Sequence, residues 1–269
     1  MLDLQSHSTF SDGELPPAQV VATAAEQGVT TLALTDHDGI DGVAEAAVAA
    51  TEAGIELVPA TEISCVHGSI DDMHMLGYWV DTTAIAPAME RAQRERITRA
   101  HEIVDRLNEQ GVPVRFEDAI AQAGDASSVG RPHIAKAAGV EPDGLSAFFE
   151  EWLVPGAKAF VSRRWPDAAE AIEIIHGAGG VAVLAHPFWD MSEPGEVAAL
   201  VDDLDLEGVE CFYPAHDRAQ TTFLVDLCRE RGLAATASSD FHGPSHKMFN
   251  SFLSYPTYDL GEPELPPKR

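Results

Sequence analysis

The chain is poor in basic residues, in cysteine and in long apolar runs. Its 269 residues hold 17 Lys+Arg against 44 Asp+Glu, a formal net charge of −27. That sign is wrong for a protein that coats duplex nucleic acid, which needs basic stripes. A phosphate-bearing substrate would have to be drawn in locally, by metal ions or by a few arginines, which outnumber the lysines here. No run of about 18 apolar residues occurs, so no membrane-spanning helix is expected. Met1-Leu2-Asp3-Leu4 enters acidic, strand-like sequence with no basic or apolar leader before it, so no secretion signal is expected. The cysteines Cys65, Cys211 and Cys228 are odd in number and lack metal-binding spacing. They read as reduced thiols and point to a cytoplasmic protein.

What is present is a globular composition, 45% hydrophobic and 23% charged, enough to bury a core. At about 150 residues per domain, the length fits one large α/β domain with an insertion, or two modest domains. Strand and helix patterns alternate. Apolar segments at 1–5, 30–35, 55–59, 74–80, 181–185, 209–212 and 233–238 predict strands. Pro16-Pro17 opens a helix that Gly28 closes, and a second runs over 40–52 and stops at Gly54. Such repeats favour a parallel sheet, open or closed into a barrel. The rhythm breaks over 84–159, where helices are predicted at 86–110, 117–123, 131–138 and 145–153. The expected organisation is a body from 1–83 and 160–258, a helical insertion or cap at 84–159, and a tail at 259–269. Pro263, Pro266 and Pro267 mark that tail as poorly ordered.

Metal-capable side chains recur at strand ends: His7 with Asp12 after the first, Asp36-His37-Asp38 after the second, then Glu62, His74, His186, His216 and Asp240-Phe241-His242. In parallel α/β folds the carboxyl ends of the strands form the active site, so these residues should converge. Singly, each has a plainer reading. Asp12-Gly13 is a turn pair, Asp38 a natural N-cap for the next helix, Asp36 a support for His37 or its loop, and His74 or His186 a satisfied core histidine. It is the coincidence of so many at one end that argues for a site.

The segments DLQSHSTFSDG (3–13), LALTDHDGIDG (34–42), EIS (62–64), HMLG (74–77), GRPHIA (130–135), GGVAVLAHP (179–187) and SSDFHGP (238–244) resemble the PHP family (polymerase and histidinol phosphatase). Within it they are similar to the TrpH-like stand-alone phosphoesterases, from residue 3 to about 250. The resemblance implies a distorted (β/α)7 TIM-like barrel with a helical insertion and two or three divalent metal ions, manganese first, with Fe, Zn or Mg as alternatives. It implies that His7, Glu62 and Asp240 hold one metal, that Glu62 bridges to a second held by His74 and His186, and that Asp12, His37 and His242 hold a third. Where the family carries His-x-His, this chain has Gln5-Ser6-His7. Gln5 is thus a poorer ligand than imidazole, and the first metal site is expected to be weaker.

Arg131 to His133 resembles the family's phosphate-recognition segment. Arg131, His133 and His216 are the catalytic candidates, with Lys158 and His216 as further substrate contacts. His67, His101, His176 and His246 are taken as surface or packing residues. The implied activity is hydrolysis of small nucleotide phosphoesters by a metal-bridged hydroxide. Substrates would be 3′,5′-nucleoside bisphosphates such as pAp, or short RNA trimmed 5′→3′, with the helical cap limiting size. No long duplex, membrane or obligate protein partner is expected. Two rival readings stand beside it: an amidohydrolase-like metal hydrolase, and a nucleotide-binding protein impaired in catalysis by Gln5.

Overall fold

Short runs of Val, Leu and Ala, each too brief for a helix and bounded by turn residues, form most of the strands. The computed structural model describes residues 1–269 apart from Asp125, Ser127, Ser128 and Asp190. The strands β1 (Leu2–Asp3), β2 (Thr31–Leu34), β3 (Glu56–His67), β4 (Ile70–Tyr78), β5 (Val181–Leu184), β6 (Gly208–Phe212) and β7 (Ala234–Ala237) lie in one sheet in chain order. The ends of that sheet meet. Leu4 N donates to Ala237 O at 3.0 Å and His7 N to Phe241 O at 2.8 Å, so the barrel is closed.

The expected parallel pairing fails at one place. β3 and β4 form a hairpin with no helix between them, and β4 runs antiparallel to both β3 and β5. The two residues between the strands turn at Gly68, whose φ of +56° suits glycine; a parallel crossover would need a dozen residues or more. The hairpin makes β3 much longer than the expected 55–59. It also pairs Ser64 with His74, so Glu62 and His74 lie within β3 and β4 and not at strand ends as expected.

The helices α1 (Pro17–Glu26) and α2 (Val43–Ala53) cover the first strands, with Gly54 closing α2 in the left-handed conformation. Within the expected helical block of 84–159, the described residues form α3 (Thr82–Glu109), α4 (Phe116–Ala123), α5 (Arg131–Ala137) and α6 (Leu145–Phe148) with a π-turn, Phe149–Leu153, and helix stops there. Asp81 caps α3, accepting from Thr83 N and Ala84 N. Early in α3, Ile85 and Met89 pack into the barrel's apolar cluster. Later, Ala100, Ile103, Val104 and Leu107 pack instead with Ala119, Ile134 and Leu153 in a separate cluster. One long helix therefore roots the helical region in the barrel. The helices α7 (Ala168–Gly177), α8 (Pro194–Asp203) and α9 (Arg218–Arg231) complete the outer layer.

The tail departs from expectation. It docks across the end of the barrel where the parallel strands begin: Glu264 N donates to Ala235 O at 2.8 Å and Trp79 Nε1 to Pro266 O at 3.0 Å. Leu265, partly buried, packs against the barrel's interior cluster, and Pro266 is buried. The prolines that signalled disorder instead stiffen an extended strap, and Leu265 and Trp79 supply the apolar contact that holds it.

Candidate metal centre

The opposite end of the barrel is built by strand ends that turn sharply inward. Asp38, His186 and Asp240 have φ of +50°, +23° and +52°, the left-handed region that non-glycine residues seldom occupy and that collects at functional sites. The loop after β1 is folded around Asp36. This buried carboxylate accepts from Ser8 N (2.7 Å), Ser8 Oγ (2.6 Å) and Ser11 Oγ (2.6 Å), so it supports the loop, as expected. A Cβ on Gly13 would lie 2.3 Å from His7 O, so only glycine lets this loop fold back and present Asp12.

The predicted ligands converge. His7 Nε2 lies 3.1 Å from both Glu62 Oε2 and Asp240 Oδ1. The other Glu62 oxygen, Oε1, is 2.8 Å from His74 Nδ1 and 3.2 Å from His186 Nε2. Asp12 Oδ1 is 3.5 Å from His242 Nε2, and Asp12 Oδ2 is 3.8 Å from His37 Nε2. Donor atoms of His7, Asp12, His37 and His242 all lie within 4.8 Å of one another, as do those of His37, Glu62 and His74.

Burial without pairing shows what this cluster suits. His7 Nε2, Glu62 Oε2, Asp240 Oδ1, Asp12 Oδ1 and His37 Nδ1 are all buried and lack a hydrogen-bond partner. Such orphaned polar atoms are costly unless something fills the space between them. Donors that face each other without bonding are what a cation would coordinate, and mixed imidazole and carboxylate sets suit borderline divalent metals. Divalent metal ions fit these residues.

The electrostatics agree. Burial drives the Glu62 carboxyl up, but His37 and His74 hold it well below the usual carboxylate range. Asp12 behaves likewise under His37 and His242. Burial pushes His37 down to about 3, whereas His186, against the same penalty, is raised to about 10 by Glu62. Protons on some imidazoles thus stand in for the positive charge the carboxylates demand.

Gln5 is buried in the barrel, its Oε1 lying 3.5 Å from Ser238 Oγ. The same hydroxyl donates to Glu210 at 2.5 Å, and Glu210 in turn accepts from His186 N at 2.8 Å. Burial pushes the Glu210 carboxyl up to about 8.

The phosphate segment is placed differently from residue to residue. Arg131 lines a cavity of about 1840 Å³ that opens over the cluster. His133 is buried within α5, its Nδ1 accepting from Gly130 N at 3.1 Å. His133 does not line the cavity, and the candidate substrate contacts Lys158 and His216 lie off it as well. Lys158 is exposed, bonded to Glu151 at 2.5 Å and lying over the Trp152 ring. His216 is buried beside Tyr213 and Phe188, its Nδ1 facing Cys211 O at 3.1 Å, and burial lowers it to about 4. A group kept neutral to that pH is a poor proton donor near pH 7.

Sequence reasoning missed a second charged cluster on the cavity wall. Asp38 does not cap α2, whose N-cap is Gly42. It accepts from Ser64 N (2.8 Å) and pairs with Arg96 and with Arg163 (3.5 Å). Asp72 pairs with Arg131 and lies 3.7 Å from Arg163. Arg99 also lines the cavity, and its Nη2 is buried without a partner. Burial, with Arg163 beside it, lowers Arg99 to about 9. Four guanidinium groups against two carboxylates leave positive charge in excess. A signal was available: Arg96 and Arg99 share the face of α3 that carries Ala100 and Ile103, where charge is unexpected. His67 and His246, taken as surface or packing residues, also line this cavity. His101 stacks on Phe116 and His176 lies 3.0 Å from Glu207, both packing roles as expected.

Comparison with known proteins places this arrangement. The PHP domain profile matches residues 3–117. The chain is 37% identical to a 5′-3′ exoribonuclease of Haemophilus influenzae over 90% of each protein. It is 32% identical to a 3′,5′-nucleoside bisphosphate phosphatase of Chromobacterium violaceum, over 90% of this chain and 87% of the relative. Among solved structures, an amidohydrolase from Chromobacterium violaceum with bound sulfate and no metal superposes with a TM-score of 0.86. It shares 30% identity, covering 97% of this chain and 93% of that one.

Proposed function

Because this chain belongs to the PHP family, we propose that it is a metal-dependent phosphoesterase of small nucleotides. It either removes the 3′-phosphate of a 3′,5′-nucleoside bisphosphate or trims short RNA from the 5′ end, the activities named for its relatives. The observation that carries this reading is the meeting, in one cavity, of orphaned imidazole and carboxylate donors with a wall of arginines in charge excess.

His7, Glu62 and Asp240 would hold one divalent cation, with Gln5 the weakest member of that set. Glu62 with His74 and His186 would hold a second, and Asp12 with His37 and His242 a third. Bound cations supply Lewis acidity that lowers the pKa of a water and neutralises charge on phosphoryl oxygens. Manganese is the ion we assign, since the donors mix nitrogen and oxygen; Fe and Zn fit the same donors, and Mg fits them less well.

The chain's own residues do the rest. Arg131, with Arg96 and Arg163 beside it, binds phosphate oxygens through planar forks, releasing Asp72 and Asp38 from part of their pairing. Tyr213 OH donates to Asp240 Oδ2 at 2.9 Å and so fixes the carboxylate that faces His7. Arg96, Arg99 and Arg131 come from α3 and α5, so the helical region supplies phosphate selectivity and limits substrate size. Acidity of the whole protein does not oppose a nucleotide, because bound cations and this wall dominate the local field. The three cysteines are buried and none is in a disulfide among the described residues, which fits a reducing cytoplasm.

The neighbour described as an amidohydrolase motivates a second reading, cleavage of C–N bonds. The arginine wall favours phosphate instead. Phosphate release from pAp and mononucleotide release from a short 5′-phosphorylated RNA, with manganese added and metal content measured, should exceed phosphate release from sugar phosphates. Turnover of amide or lactone substrates with no hydrolysis of pAp or of the RNA would overturn the proposal.

A further inference from the structure

The cavity has a second, uncharged side. Trp189, in the turn just after His186, is 56% exposed and lines it, with Met248 47% exposed and Phe249 behind. The Trp189 ring lies 6.0 Å from Phe249, and Phe249 stacks on His246 at 5.0 Å with 13° between planes. This shelf adjoins the metal-capable cluster through His186, 6.4 Å from Trp189, and His242, 5.6 Å from Phe249. The arginine wall adjoins the other flank: Asp38 directly follows His37, and Asp72 lies two residues before His74 on β4. A large indole left in water at a cavity mouth otherwise has nothing to gain there.

We infer that the Trp189–Phe249–His246 shelf stacks the base of the nucleotide on the 3′ side of the scissile phosphate. The inference rests on the nucleotide phosphoesterase reading above. With a terminal 5′-phosphate on the arginines and the scissile phosphate at the cluster, an RNA strand must leave past His186 and His242, onto the shelf. Lys247, next to Met248 and exposed, lies 3.5 Å from Asp143 and can exchange that exposed partner for the following phosphate. A nucleoside 3′,5′-bisphosphate ends at the cluster and has no base to place there. The shelf therefore separates oligonucleotide substrates from mononucleotide ones.

The test compares a 5′-phosphorylated trinucleotide with pAp, in manganese, for the wild type, W189A and W189F. Base–aromatic contacts of this kind carry about five- to hundredfold in affinity. W189A should raise KM for the trinucleotide about tenfold, with a several-fold smaller change for pAp, and W189F should restore most of it. In metal-stripped protein the trinucleotide should quench tryptophan emission, and W189F should remove that quench. An unchanged trinucleotide-to-pAp ratio of kcat/KM in W189A, with the wild type active on both, overturns the shelf alone. Hydrolysis of neither substrate by the wild type overturns the phosphoesterase reading and the shelf with it.

Discussion

Two charged clusters share one cavity and differ in how their carboxylates are satisfied. In the imidazole cluster, Glu62, Asp12 and Asp240 face histidines, and several buried donor atoms have no hydrogen-bond partner. In the arginine cluster, Asp38 and Asp72 are held by guanidinium forks, and the excess charge resides on Arg99 and Arg163. The first is short of positive charge and accepts cations. The second has positive charge to spare and suits an anion. A phosphoester needs both, because its hydrolysis places a charged group between them.

The comparison breaks most completely at Glu62, the carboxylate common to two ligand sets. Glu62→Gln keeps the shape but removes the charge. It should lower kcat by about a thousandfold and abolish metal retention, read by elemental analysis on protein whose circular dichroism is unchanged. Metal content equal to wild type would mean that the cluster is not a cation site. On the other side, Arg131→Ala should raise KM about ten- to hundredfold with metal content intact, and Arg131→Lys should rescue little because the fork is lost. A fall in bound metal in the alanine variant would show that the two clusters are one.

The proton and the cation should compete in the first cluster only. Glu62 raises His186 to about 10, above the ~6.5 of an unfolded chain. The stability this contributes in metal-free protein is complete below about pH 6.5 and is lost as pH rises through 10. Metal binding requires the imidazole neutral, so the rise in Tm on adding manganese should grow from pH 7 to 9. A stabilisation independent of pH would argue against His186 as a ligand. Asp38 behaves oppositely: burial opposes its charge, but Arg96 and Arg163 hold it below the usual carboxylate range. Its contribution is present above about pH 4 and lost below it.

The smallest expected effect is at Gln5. Gln5→His should tighten manganese binding several-fold and raise turnover modestly, since imidazole is the better donor. Unchanged binding and rate would show that the amide, resting on Ser238, is neutral to the site.

Most of the metal-capable residues were legible in the sequence because strand periodicity reveals where strands end, and His and carboxylate types are few and distinctive there; Glu62 and His74 instead lie within β3 and β4, where the unforeseen hairpin brings them together. The helical stretch over 82–153 was legible for a similar reason, a sustained 3.6-residue pattern. Asp38 was not. Its local context, just before a helix, matches an N-cap, and nothing within the neighbouring sequence reveals that Arg96 and Arg163 will arrive from elements 58 and 125 residues away (163 − 38). The tail misled for the converse reason: proline signals a broken element, and whether a broken element is loose or strapped down depends on the surface it meets.

By itself the amino-acid order determined the inventory: which side chains can bind cations or phosphate, and the alternation that brings strand ends to a common mouth. Tertiary structure decided ownership, that is, which carboxylate is neutralised by guanidinium and which is left facing imidazole. That assignment depends on contacts of a few ångströms between residues far apart in the chain. Only the closed barrel, with its reversed β4 and its helical region anchored through α3, brings them within that range.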